Sequence, residues 1–132
     1  MKVIIAGTRT LTKIVYVYKA IQESGFEITE VVSGGARGID NLAEKWATLH
    51  NVPVVLFPAK WSDVDHPKAV VRKRNDGSQY DITAGFRRNQ EMAEYADALI
   101  AVWNGKSGGT QDMINKAVKE GLKIYIYEVE EG

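Results

Sequence analysis

Val31-Val32-Ser33-Gly34-Gly35-Ala36-Arg37-Gly38-Ile39-Asp40 puts three glycines, a serine, an arginine and a carboxylate where an apolar run turns into a helical pattern. A strand-to-helix junction of this kind presents unpaired backbone N–H groups and the positive end of the helix dipole at one point. Glycine lets a ligand approach the backbone closely, so the junction can cradle an anion. The same residues also suit an ordinary βα turn that needs glycine for positive φ. Two more stretches, Gly7-Thr8-Arg9-Thr10 and Gly105-Lys106-Ser107-Gly108-Gly109-Thr110, follow apolar runs in the same way. Arg9 and Arg37 sit inside these loops, where a long cation has few structural duties, and are read as phosphate ligands. Arg87 and Arg88 fall in the first turns of a helical stretch, where the macrodipole disfavours cations. Guanidinium forks aimed at a bound phosphate would compensate, whereas pairing with Glu91 and solvation is the alternative.

Thr8, Ser33, Ser107 and Thr110 offer hydroxyls to a phosphate, and Thr10 and Thr110 also suit helix capping. Asp40 lies in the first turn of a helix, where a carboxylate is favourable whatever the function. Trp61 and Trp103 follow strand ends and can stack on a base, while Trp46 belongs to an apolar helix face. His50 ends a helix. Asp63, Asp65 and His66 fall in an irregular polar loop, and no metal site is expected from them. No Ser-His-Asp order, HExxH or P-loop spacing is present, and Lys106-Ser107 lacks the upstream glycines of a Walker motif.

The elements that must position these residues alternate. Val3 to Ala6, Ile28 to Ser33, Pro53 to Phe57, Ala98 to Trp103 and Leu122 to Tyr127 read as strands. Leu11 to Gly25, Ile39 to His50, Ala84 to Ala96 and Met113 to Gly121 carry helical periodicity, with Thr10 and Thr83 as candidate caps and Gly25 as a stop. The tail Glu128 to Gly132 is expected to fray. Residues 69–74 and 78–82, around Asn75-Asp76-Gly77, predict a β-hairpin inside an insertion near 64–82. Alternation of this kind implies a single Rossmann-like α/β domain over residues 1–132. Its parallel five-stranded sheet is expected in the order 3-2-1-4-5, with helices on both faces. Ligands of such sheets bind beyond the carboxyl ends of the strands where the order reverses, and the three glycine loops meet there.

The chain has 132 residues, with 17 basic and 17 acidic side chains and no cysteine. It is long enough for one core. The balanced charge excludes an overall basic field for nucleic acid and leaves only local patches such as Arg72, Lys73 and Arg74 on the hairpin. The lack of cysteine excludes disulfides, thiolate metal sites and a cysteine nucleophile. No run reaches the length of a membrane span, and a soluble cytoplasmic protein is expected.

Together, Gly7-Thr8-Arg9, Ser33 to Asp40, Phe57-Pro58-Ala59 with Trp61, Ala84-Gly85 with Arg88-Asn89 and Met92, Ala96-Asp97 and Ser107 to Thr110 resemble the SLOG superfamily of Rossmann-like domains. Within it, they resemble the small YspA-related proteins of bacteria and phages. The Ala36 to Asp40 run and Arg88-Asn89 are similar to Smf/DprA proteins, which bind single-stranded DNA, and this implies Arg37 and Ser33 in a phosphate pocket. Gly108-Gly109-Thr110, Arg88 and Met92 are similar to the Lonely Guy phosphoribohydrolases, which cleave the N-glycosidic bond of cytokinin nucleotides. There a glutamate follows the threonine by three residues. Met113 stands at that position here, and a thioether can neither take a proton nor stabilise an oxocarbenium-like centre.

The first expectation is therefore a sensor or carrier of a nucleotide or nucleotide-derived molecule, with no cofactor. Its ligand set would be Gly7, Thr8, Arg9, Ser33, Gly34, Gly35, Arg37, Asp40, Trp61, Arg88, Asn89, Trp103, Ser107, Gly108, Gly109 and Thr110. The alternatives are a nucleoside-monophosphate phosphoribohydrolase, with Arg88, Glu91 or Asp112 as catalytic candidates, and a single-stranded DNA module extended by Arg72, Lys73 and Arg74. The hairpin can equally serve as a lid or an oligomer contact. Family resemblance, with Tyr16 and Tyr95 as exposed aromatics, implies a homo-oligomer.

Overall fold

The structure, a computed structural model, describes residues 1–130. Five parallel strands, β1 (Lys2–Gly7), β2 (Glu30–Ser33), β3 (Val54–Leu56), β6 (Ala98–Trp103) and β7 (Lys123–Glu128), form one sheet in the order β3-β2-β1-β6-β7. This is the expected Rossmann-like order, the last two strands being the fourth and fifth of the sheet. A separate antiparallel pair, β4 (Val71–Lys73) and β5 (Gln79–Asp81), makes the inserted hairpin, with Gly77 at φ +88° in its turn. The described residues also form four helices: α1 (Val15–Ser24), α2 (Ile39–Leu49), α3 (Ala84–Tyr95) and α4 (Gly108–Lys119). No helix among the described residues is long and apolar enough to cross a membrane.

The apolar alternation of the central strands divides the core into two. Val3, Ile5, Ile100 and Val102 pack with Val17 and Ala20 of α1 and Ile39, Ala43 and Trp46 of α2. Ile4, Ala6, Leu99 and Ala101 point the other way, onto Met92 and Ala93 of α3 and Met113, Ile114 and Ala117 of α4. A strand buried on both faces has no polar side to offer, which is why β1 and β6 read as unbroken apolar runs. Full burial of each large aliphatic side chain contributes roughly 1.5–3 kcal/mol.

Several element ends differ from expectation. α1 begins at Val15, not Leu11, and Thr10 does not cap it. Thr8 donates its N–H to the Val102 carbonyl at 3.1 Å and accepts from Leu11 N–H at 3.3 Å, so the chain leaves β1 in a turn that buries Leu11 from a loop. At α3, Thr83 holds the cap position without a side-chain cap, because its hydroxyl donates to Asp81 at 2.7 Å. Ser107, not Thr110, precedes α4. Glu128 and Val129 are not frayed as expected, since Glu128 closes β7 and Val129 is buried with its N–H on the Trp103 carbonyl at 2.8 Å. Glu131 and Gly132 lie outside the described residues. Tyr16 and Tyr95 are half-buried, packed against the two core halves rather than exposed.

Candidate functional site

Beyond the carboxyl ends of β1 and β6 lies a cavity of about 260 Å³. All three glycine loops reach it: Gly7 and Arg9 from the first, Ala36 and Asp40 from the second, Ser107, Gly109 and Thr110 from the third. Met92 and Met113 give it an apolar floor, and Trp61, Ile82 and Phe86 line it from the hairpin side and the start of α3. Arg88 and Asn89 complete the wall. Gly7 allows this closeness by packing, because a Cβ there would come within 2.8 Å of Ile39 Cγ1. The first and third loops are tied together by Asn104 N–H donating to Thr8 Oγ1 at 3.1 Å.

Arg88 is 9% exposed although it is a cation in the second turn of α3. Nη1 donates to the carbonyls of Gly34 at 2.5 Å and Phe57 at 3.3 Å, and Nε donates to Asn89 Oδ1 at 3.1 Å. No protein acceptor meets Nη2 among the described residues. Burial pushes the guanidinium pKa down, Asp40 opposes that shift, and Arg9 adds to it. Asn89 is fixed in turn, donating to Asp112 Oδ2 at 3.0 Å and to the Gly109 carbonyl at 3.4 Å.

Asp40 is the most perturbed group on the cavity wall. Burial pushes its pKa up to about 6, against the Ala36 N–H, which donates to Oδ2 at 3.2 Å, and the attraction of Arg88 and Arg9. The first-turn placement seen in the sequence does not explain this environment. Asp40 is 5% exposed, and its second oxygen, Oδ1, has no hydrogen-bond partner among the described residues.

The hairpin is anchored rather than loose. Asp81 is fully buried, and its Oδ1 accepts from Val70 N–H at 3.0 Å, Thr83 N–H at 2.9 Å and the Thr83 hydroxyl at 2.7 Å. Oδ2 pairs with Arg87. Burial alone would raise the pKa of this carboxyl, but the hydrogen bonds from Thr83 and Val70 and the Arg87 pairing outweigh it and hold the carboxyl well below the usual range. Arg87 therefore pairs with Asp81 and not with Glu91, which is exposed outside the cavity. The Asp81 N–H donates to the Trp61 carbonyl at 2.7 Å, so one buried carboxylate sets the place of both Trp61 and Ile82. Asp81 escaped the sequence reading; the Asp-x-Thr step just before a helix was the available signal.

The remaining candidates divide. A second, more open groove of about 630 Å³ adjoins the cavity and shares Arg9, Ala36, Trp61 and Arg88 with it; Gly34, Gly35 and Arg37 belong to this groove alone. Ser33 is fully buried, donating to Glu44 Oε2 at 2.8 Å and accepting from Gly35 N–H at 3.1 Å, so it shapes the loop from beneath. Thr8 is buried, and Gly108 starts α4 outside both cavities. Trp103 lines neither, and its indole N–H donates to the Ser107 carbonyl at 3.2 Å. Asp112 pairs with Lys116 at 2.6 Å. Arg72, Lys73 and Arg74 are exposed on the hairpin away from both cavities, with Arg74 over the Tyr80 ring at 4.6 Å. His66 Nδ1 accepts the Lys68 N–H at 3.0 Å within its loop. Ala6 and Phe86 line the cavity without a role expected from the sequence, because apolar wall residues look like any core residue there; Gly85 and Met92 entered only through the family resemblance.

Comparisons with known proteins agree on this architecture. A family model described as "YspA, cpYpsA-related SLOG family" matches residues 1–63. The Gene 61 protein of Mycobacterium phage D29 is 34% identical over 100 residues, covering 71% of this chain and 67% of that protein. The X-ray structure of DNA processing protein A (DprA) from Streptococcus pneumoniae superposes with a TM-score of 0.70 at 24% identity. That match covers 95% of this chain and 49% of the other, so the chain spans about half of that structure and shares its fold. The glycine loops, the sheet order and these matches lead to one conclusion: the chain belongs to the YspA, cpYpsA-related SLOG family.

Proposed function

We propose that the protein binds a phosphate-bearing nucleotide or nucleotide-derived small molecule in the 260 Å³ cavity, as a sensor or carrier. The observation that carries this reading is the position of Arg88, whose Nη2 has no protein acceptor among the described residues where three glycine loops converge. A buried guanidinium with spare donors is suited to a phosphate oxygen. Arg9 adds a second cation, and Ser107, Thr110 and the Gly109 backbone at the start of α4 supply neutral donors on the opposite side. Trp61, Ile82 and Phe86 give the base an apolar wall. Membership of the SLOG family and the fold shared with a DNA processing protein point to the same chemistry of nucleotides or nucleic acids. A thermal-shift panel of 5′-nucleoside mono- and diphosphates tests it. Stabilisation by at least one nucleotide at micromolar concentration is expected, and a flat response across the panel contradicts the reading.

A second reading is favoured by Asp40 alone. Met113 removes the usual acid of phosphoribohydrolases, but Asp40 faces the same cavity as Arg88 with a pKa near 6, where a carboxyl can exchange protons at neutral pH. Hydrolysis of the N-glycosidic bond would release free base from a nucleoside monophosphate. Chromatographic detection of that base, abolished by Asp40→Asn, supports this reading; intact nucleotide after prolonged incubation removes it.

A further inference from the structure

The inner cavity, at about 260 Å³, is smaller than the roughly 300–1,000 Å³ that ligand sites occupy. It does not stand alone. The outer groove opens directly from it, and the boundary between the two is built by Arg9, Trp61 and Arg88. Two features of that outer groove are unexplained by the binding of one nucleotide. Arg37 is exposed on its rim and makes no hydrogen bond or ion pair with the protein among the described residues. The same groove is lined by Leu56, which is 55% exposed, with Pro58, Ala59 and Trp61. A guanidinium without a hydrogen bond or ion pair among the described residues, lining one groove with an exposed apolar strip, repeats the composition of the inner cavity, where Arg9 and Arg88 share the lining with Trp61, Ile82 and Phe86. Glu44, the acidic neighbour, is already engaged by the Ser33 hydroxyl.

We infer that the two cavities are paired subsites for a ligand of two linked nucleotide units, the inner taking the first nucleotide and the outer, through Arg37 and the Leu56 to Trp61 strip, the second. This rests on the nucleotide reading above and deepens it. Arg9 and Arg88 stand at the shared wall, where the linking phosphate has to pass, so the positive charge is concentrated where a phosphodiester carries its own. Trp61 separates the two base positions and offers them a common aromatic surface. The same chemistry is presented by a free dinucleotide and by two successive residues of a single strand.

The test is a titration of the intact protein, at one salt concentration, with three probe sets. These are the four 5′-ribonucleoside monophosphates, the corresponding 5′-phosphorylated linear dinucleotides, and ten-residue single-stranded oligonucleotides of the same bases. The dinucleotide of at least one base should bind ten times or more tighter than its monophosphate. Arg37→Ala, which removes no hydrogen bond or ion pair among the described residues, should cancel that gain while moving the monophosphate affinity less than threefold. Further tightening of tenfold or more with the ten-residue strands identifies a strand as the source, and equal affinity of dinucleotide and strand identifies the free dinucleotide. Monophosphates binding as tightly as dinucleotides overturn the paired subsites and leave the inner site standing. Failure of every probe to bind overturns both.

Discussion

Arg88 and Gly34 are built around each other: the guanidinium donates to the Gly34 carbonyl, and a Cβ on Gly34 would sit 2.7 Å from Arg88 Cζ. The second glycine loop therefore needs glycine at this position for a protein cation rather than for a ligand. Gly35, at φ +72° with open space around it, needs glycine for its backbone alone. Gly34→Ala should cost about 1–3 kcal/mol in urea unfolding by overpacking and weaken nucleotide binding tenfold or more as Arg88 is displaced. Gly35→Ala should cost about 1 kcal/mol and leave inner-site affinity within threefold.

Replacing the cation tests the other partner. Arg88→Ala leaves the Gly34 and Phe57 carbonyls without their donor, and each buried unsatisfied group costs about 1–3 kcal/mol. Arg88→Lys restores charge but not the fork, so it should recover part of the stability and little of the binding, read by denaturation and titration on the same samples.

Asp40 sets a pH dependence of definite sign. Its folded pKa, about 6, lies above its ordinary value of 3.8, so the native state holds the proton more tightly. Its contribution to stability falls as pH rises from about 4 to about 6 and stays low above that, by about 3 kcal/mol at most. Asp40→Asn should therefore stabilise the protein by about 1–3 kcal/mol at pH 8 and by nearly nothing at pH 4, measured by urea unfolding at both.

Asp81 has the opposite sign. With its folded pKa held below the ordinary range, its stabilising contribution is present above about pH 4 and is lost as pH falls further. Asp81→Asn should lower Tm at pH 7, reduce the difference from wild type at acid pH, and weaken nucleotide binding by releasing Trp61 and Ile82. Hydrogen exchange of the Val70 and Thr83 amides reports the release directly.

The sheet order was legible because β1 and β6 are buried on both faces and read as unbroken apolar runs, and because Asn75-Asp76-Gly77 marks the hairpin turn. Convergence of the glycine loops followed from topology alone. Pairings in which one side chain does another's work leave no mark in the sequence. Nothing local shows that Arg88 turns inward to two carbonyls, that Ser33 serves Glu44, or that Asp81 holds Arg87, since each pairing joins elements set by the fold. Capping failed at Thr10 because α1 begins only at Val15, and at Thr83 because Asp81 takes the hydroxyl first.

The most direct test is a nucleotide titration followed by the side-chain N–H resonances of the tryptophans and arginines in an ¹⁵N-labelled sample. Trp61 lines the cavity and Trp46 is buried in the other half of the core, so the two indoles act as probe and internal control. Saturable shifts of the Trp61 indole and the Arg88 Nε–H are expected at micromolar nucleotide, with Trp46 unmoved. Unchanged Trp61 and Arg88 resonances at millimolar concentrations of every nucleotide tried would contradict it.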